Sequence, residues 1–422
     1  MRSLAVILFF LPLVAQAQSV WNVHTIYNKS GRDVAAITQV AEGGEIFVAA
    51  QLTDGVESRL YLKKWDVALG ALSSRINISN DVLGNPRLDT TGGEQYLPSL
   101  AIDTGTDLLV STKADAVGFG PTIENPVLGR TFPFPYADDP PLFIDDDSGV
   151  GSIQKRKHSS LAVNATADTA FACWTVDDGN DDTYCRSRSL TSTVWSNPTF
   201  ALGATAAVEE HVAVEVLDDG TRVAIFADGS AHGVADSTNL SVHFFDASDT
   251  ALGSAELGET RSNWPHLVRE GDVLHATWLN TAQDEITYGT CDTAALDCTS
   301  AMNWTVELIN NIPNDAAYPQ IAVDEYGHVY VAFTHTSGVG DQRVIVTARC
   351  SANDWQGETV DGSEGQENLG GEHVRHAYPA IAYEATAEKI SVVYGRQNLA
   401  TLEIDGVRAG QDTNNFFTAM CP

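Results

Sequence analysis

Base is scarce in this sequence. Lys and Arg number 24 against 56 Asp and Glu in 422 residues, a formal net charge of −32 at neutral pH. A chain that repels phosphate this strongly excludes nucleic acid as a partner. It equally excludes docking on an anionic membrane surface. After the N-terminal leader no apolar run approaches the ~20 residues a spanning helix needs, so no membrane insertion is expected. Cys-x-x-Cys is missing, and with it the usual zinc framework; no metal site is expected on that ground. Also missing are a Gly-rich phosphate loop, a Gly-x-Ser-x-Gly elbow and His-Glu-x-x-His. The hydrolase and metalloprotease classes built on those motifs lose support. Helical periodicity is not visible.

What is present begins with MRSLAVILFFLPLVAQA. One positive charge, an apolar run from Leu4 to Val14 and the small-x-small end Ala15-Gln16-Ala17 read as a secretory signal peptide over 1–17. Residues 18–422 are expected to form one mature domain, secreted to the extracellular space or periplasm and monomeric. Six cysteines suit an oxidising compartment. They fall as Cys173 and Cys185, Cys291 and Cys298, Cys350 and Cys421. Six cysteines allow 15 pairings and sequence does not choose among them; pairing of neighbours is the expectation.

One pattern recurs along the chain: an apolar strand, a short polar turn, a second apolar strand. YPQIAVDEYGHVYVAFTH at 318–335 returns as YPAIAYEATAEKISVVY at 378–394. Earlier copies start at Asp33, Tyr96, His158, Glu210 and Trp264, which makes seven in all. Inside each copy the alternation has period 2, as in Val329, Val331 and Phe333, so these are strands. The turns carry Gly, Asp and Asn. One or two further strands follow each pair, at a spacing of roughly 50–60 residues, which is the signature of propeller blades. The fold expected is all-β: a seven-bladed β-propeller of four-stranded blades. The lone strand at 19–28 would complete the last blade and close the ring, because an open ring leaves sheet edges unpaired.

The phrase x-Pro-x-Ile-Ala-x-Asp…Gly-x-Val-Tyr-Val-Ala-Phe resembles the inner strands of sialidase-like propellers, the BNR-repeat proteins. The resemblance covers residues 19–410. The chain departs from it in lacking Ser-x-Asp-x-Gly-x-x-Trp and an early Phe-Arg-Ile-Pro. Secreted seven-bladed propellers of this broad kind include ulvan-type polysaccharide lyases and several lectins, so the resemblance implies a carbohydrate-facing protein.

In such a ring, the loops entering the inner strands and leaving the second strands share one face around the channel, where ligand sites favour a concave mouth. Arg156, His158, Glu210, His211, Arg261, Trp264, Arg375, His376 and Tyr378 fall before inner strands. Asp228, His232, His335 and Arg396 fall after second strands. Arginine binds carboxylate or sulfate bidentately, and His or Tyr can serve as general base or acid. His211 and His232, brought together in the fourth copy, resemble the His pair of ulvan-type lyases, and Tyr378 and Arg396 supply that family's other residue types. These four are the expected catalytic residues. Arg156, His158, Glu210, Arg261, Trp264, His335, Arg375 and His376 are the expected substrate contacts. No cofactor is expected; a structural Ca²⁺ is left open at the acidic runs 138–147 and 177–182. Sequence thus points to a secreted propeller acting on an anionic polysaccharide, as lyase or hydrolase. The alternative is a non-catalytic propeller that binds glycan or protein.

Overall fold

The structure is a computed structural model. It describes residues 21–28, 33–53, 58–67, 71–73, 76–77, 99–103, 107–113, 127–133, 142–145, 155–177, 182–192, 195–196, 200–202, 208–229, 239–258, 262–280, 285–309, 316–337, 341–360, 365–366, 379–397, 404–412 and 416–421. Residues 1–17 and most of the two acidic runs, 138–147 and 177–182, lie outside these residues. Among the described residues no group of three or more His, Cys, Asp or Glu is placed to hold a metal ion.

Alternating sequence becomes antiparallel sheet throughout, and the protein is an all-β propeller. Six blades are each one continuous stretch of chain. Their inner strands are Asp33–Glu42, Ser99–Asp103, Lys155–Asn164, Val208–Val216, Ser262–Glu270 and Ala316–Val323. Each runs outward through a second and third strand to an outer one, and the first and sixth sheets hold a fifth short strand. Where the sequence expects seven equivalent units, the structure shows six continuous blades; the remaining strands come from opposite ends of the chain. Ala380–Glu384, Lys389–Gln397 and Ile404–Asp412 pair in order, and Trp21–Asn28 adds to the last of them, Trp21 opposite Asp412. The seam lies inside this composite sheet, where ladder hydrogen bonds hold it.

Inner strands stand side by side in chain order, and Ala380–Glu384 lies between those of the sixth and first blades. The core is correspondingly built between sheets. One cluster packs Val223, Ile225 and Val242 of the fourth blade on Leu274, Ala276 and Trp278 of the fifth. Another packs Ile286 and Tyr288 of the fifth on Val331, Phe333 and Trp355 of the sixth. Polar ties reinforce the seam. Gln39 Nε2 donates to the carbonyls of Ala380 at 2.6 Å and Ser391 at 2.7 Å, and Gly44 N–H donates to Glu384 Oε1 at 2.7 Å. Gly44 has φ +85° with no atom near a would-be Cβ, so the turn needs glycine for backbone reasons alone.

All three disulfides join neighbours. Cys173–Cys185 spans adjacent strands of the third blade, Cys291–Cys298 closes a short loop, and Cys350–Cys421 fastens the chain's end to the sixth blade. That end contains a helix, Phe416–Met420, which the sequence did not reveal. Phe417 stacks on His328 at 3.6 Å, and Phe416 lies 5.6 Å from Trp21.

Trp21 is 4% exposed and belongs to the cluster that joins the sixth blade to the composite sheet. Trp21→Ala is expected to cost about 3–5 kcal/mol in chemical denaturation. Met302→Ser, at a side chain 91% exposed, is expected to change stability by less than about 0.5 kcal/mol. Similar values for the two would contradict the closing role of the first strand.

Candidate functional site

Three successive inner strands begin with the same backbone irregularity. His211, Trp264 and Tyr318 have φ of +54°, +53° and +55°, left-handed values that non-glycine residues avoid. Register shifts at the same places: between Glu210 and Ala213, Asn263 and His266, Ala317 and Gln320. Each is a bulge, and bulges re-aim side chains. Proline follows in two of the three, at Pro265 and Pro319, where its missing N–H cannot serve the ladder. Asn263 helps to hold the turn, its Oδ1 accepting the Trp264 N–H at 2.8 Å. Such conformations cost about 1–3 kcal/mol each and persist where the surroundings enforce them, often at functional sites.

The three side chains form a row across three blades. The imidazole of His211 lies 3.7 Å from the Trp264 ring, tilted by 37°. Tyr318 meets Trp264 edge-on at 4.8 Å. They line a cavity at the mouth of the channel of ≈ 750 Å³, counting space open to solvent. Below them the wall is polar but uncharged, with Thr38, Ser99, Ser160, His266 and Gln320. No Asp, Glu, Lys or Arg lines the mouth among the described residues.

Burial pushes the pKa of His266 down to about 4, so its ring is neutral at pH 7. Its Nδ1 accepts the Ile321 N–H at 3.3 Å, which assigns the ring proton to Nε2. Farther along the channel, burial raises the pKa of Glu215 to about 7, against the opposing pull of Arg269 and the Val216 N–H. The Glu215 carboxyl is enclosed by the ring, although the open channel leaves the residue partly accessible. Arg269 also pairs with Asp218 at 3.0 Å.

The turns at the other ends of the inner strands carry carboxylates. Asp324 accepts from the N–H groups of Tyr326 and His328, from the Tyr330 hydroxyl at 2.8 Å and from His328 Nδ1 at 2.8 Å. Glu270 is pushed above its usual range by burial and by Asp324 and Glu325. The mouth is thus neutral and aromatic, whereas the turns at the opposite ends of these strands are acidic.

Of the residues expected from sequence, the structure brings His211 and Trp264 together. His335 is buried in Val329–Ser337, opposite Ala316 and Arg343, and is not in the cavity wall. Arg156, His158, Glu210 and Arg396 lie in strands, with side chains outside what is described. His232, Arg261, Arg375, His376 and Tyr378 lie outside the described residues. Tyr318 and His266 were not among the residues expected from sequence. The aromatic-Pro pair that starts three of the copies, at Trp264, Tyr318 and Tyr378, was a usable signal for Tyr318; nothing in the sequence marked the bulge.

No family model matches this chain, and no curated protein does. Solved structures do. An ulvan lyase from a polysaccharide lyase family, bound to a saccharide containing GlcA, has a TM-score of 0.57 at 9% identity over 96% of this chain and 100% of that one. A hydrazine synthase of Kuenenia stuttgartiensis has 0.51 at 13% identity, over 92% and 97%. A Dyadobacter fermentans protein of unknown function has 0.51 at 10% identity, over 92% and 97%. At such identities the likeness is of fold alone, and it places the chain among β-propellers with unrelated activities.

The raised pKa of Glu215 sets a pH dependence. Protonation is favoured in the folded state, so its stabilising effect is full below the unfolded carboxyl value near 4.5 and is lost as pH rises through about 7. Glu215→Gln removes that loss. The stability of E215Q relative to the parent is expected to increase between about pH 4.5 and 7, read from urea midpoints at several pH values. A constant difference would contradict the burial of this carboxyl.

Proposed function

We propose that this is a secreted carbohydrate-active propeller whose ligand is a polysaccharide held at the channel mouth. The observation that carries the reading is the His211–Trp264–Tyr318 row, three aromatic rings in enforced left-handed bulges over one concave opening. Aromatic faces suit the C–H face of a sugar ring. The hydroxyls and amide of Thr38, Ser99, Ser160 and Gln320 in the same wall suit its hydroxyls. We count the composite sheet as a seventh blade, since its inner strand stands in the ring between the sixth and the first. The three disulfides, and the absence of a spanning helix among the described residues, are consistent with an extracellular location.

The chemistry we infer is β-elimination on a uronate-containing chain. A base takes the C5 proton, the electrons of that bond form C4=C5, the C4–O4 bond breaks, and the departing oxygen receives a proton. His211 is the proposed base. Tyr378 is the proposed acid and Arg396 the proposed stabiliser of the negative charge that develops as the C5 proton leaves, with His232 beside the base. The remaining rim arginines, Arg156, Arg261 and Arg375, are proposed contacts to the polymer's anionic groups.

The test is a panel of uronate-containing and sulfated polysaccharides, read by the ultraviolet absorbance of the unsaturated product and by binding calorimetry. Expected is absorbance with one substrate, lost in His211→Ala, and binding weakened about tenfold or more in Trp264→Ala. Binding without absorbance or new reducing ends would establish the non-catalytic glycan-binding alternative. Neither binding nor product across the panel would contradict the saccharide reading.

A further inference from the structure

An inner strand is the edge of its sheet. Alternate N–H groups along it point away from its only ladder partner, and in a channel wall each needs an acceptor. Three junctions share one solution. Ser99 Oγ of the second blade accepts the Leu161 N–H of the third at 3.0 Å. Ser160 Oγ of the third accepts the Val214 N–H of the fourth at 3.2 Å. His266 Nδ1 of the fifth accepts the Ile321 N–H of the sixth at 3.3 Å. Ser160 and His266 stand two residues after His158 and Trp264, the positions that enter their strands.

The fourth blade breaks this run. The residue two after His211 is Ala213, which has no side-chain acceptor. Register fixes the donor that faces it. Leu267 pairs with Ala276 as Ile321 pairs with Val331, Val214 with Ala224 and Leu161 with Ala172. The Leu267 N–H therefore points across the junction like its three counterparts and meets a methyl group. Ala380 holds the equivalent place in the composite sheet and likewise offers no side-chain acceptor; there the Gln39 amide crosses the junction as a donor, to the carbonyls of Ala380 and Ser391. Ala213 lies in the wall of both the mouth and the channel, two residues from His211, and His266 lines the same two spaces.

We propose that the gap at Ala213 is a seat for a ligand carboxylate, with the Leu267 N–H and the His266 Nε2–H as its two donors. This rests on the saccharide reading above and makes the unit held under the aromatic row a uronate. One oxygen of the carboxylate takes the place that the Ser160 hydroxyl fills one junction earlier. The donor pair is neutral and no carboxylate lines the mouth among the described residues, while in the channel wall that Leu267 lines Glu215 is accompanied by Arg269; charge-assisted hydrogen bonds to backbone N–H are the stronger kind. Among the described residues the inner-strand positions without a side-chain acceptor are Ala213 and Ala380, and the Ala380 junction is bridged by the Gln39 amide, which leaves Ala213 as the seat.

The test uses the full-length protein labelled with ¹⁵N-leucine, titrated with sodium glucuronate and separately with glucose. Leu267→Ile assigns the Leu267 amide by deleting its signal. Expected is a saturable shift of that amide with glucuronate and none with glucose. Ala213→Ser supplies the missing acceptor, and the variant is expected to weaken the glucuronate response about tenfold or more. A Leu267 amide that ignores glucuronate, responds equally to glucose, or keeps its full response in A213S would overturn the seat. The wild-type comparison of the two sugars decides the matter if A213S folds poorly. Failure of the polysaccharide panel with a specific glucuronate shift would remove the polymer reading and leave the seat standing; the reverse pattern would remove the seat alone.

Discussion

Every sheet in this ring ends at the channel in a strand with a neighbour on one side only, and the backbone groups on its other side need partners. That requirement organises much of the molecule. Side chains of one blade answer the N–H groups of the next, at Ser99, Ser160 and His266. The blades are thereby joined at their inner edges as well as through the apolar clusters between sheets. A ring built this way has to close, since a first or last blade would leave an edge open. Closure falls to the strand Trp21–Asn28 and to the Gln39 amide, which joins residues more than three hundred positions apart. The Cys350–Cys421 bridge and the helix it holds cover the same seam from outside, with Phe416 against Trp21.

The mouth follows from how the inner strands begin. In a regular strand each of His211, Trp264 and Tyr318 would follow the strict in-and-out alternation of its own strand. Left-handed backbone at each of them breaks the alternation and sets the three rings side by side. The local conformational cost is offset by packing among the rings themselves. Carboxylates are held at the far ends of the same strands, around Asp324, Glu325 and Glu270. A chain of strongly negative charge thus keeps the described wall of its mouth free of anions, which is the condition under which an anionic saccharide could approach it.

Much of the architecture was legible in the sequence because each blade has to repeat one packing solution. The alternation of Val329, Val331 and Phe333 marks a second strand as plainly as that of Ile46, Val48 and Ala50 does. The N-terminal strand was recognisable as the closing one because the last copy had too few strands of its own. Cysteines adjacent in the sequence order paired, which was the expectation although sequence alone does not choose among the pairings. The site was less legible. A bulge shifts register by a residue and leaves no compositional trace, so the sequence could place His211 and Trp264 at strand entries without showing that their rings stack. Ser99, Ser160 and His266 looked like ordinary strand residues, since their partners lie in the following blade some fifty residues away. The helix Phe416–Met420 is too short for periodicity to show and is held by tertiary contacts.

The proposed ligand site is the neutral mouth, on the strands of the fourth, fifth and sixth blades. Hydrogen exchange measured by mass spectrometry with and without a uronate oligosaccharide tests it most directly. The account expects added protection confined to the inner-strand segments 208–216, 262–270 and 316–323. Protection centred on the turns around Asp324 or on the outer strand Thr305–Leu308, with those segments unchanged, would contradict it.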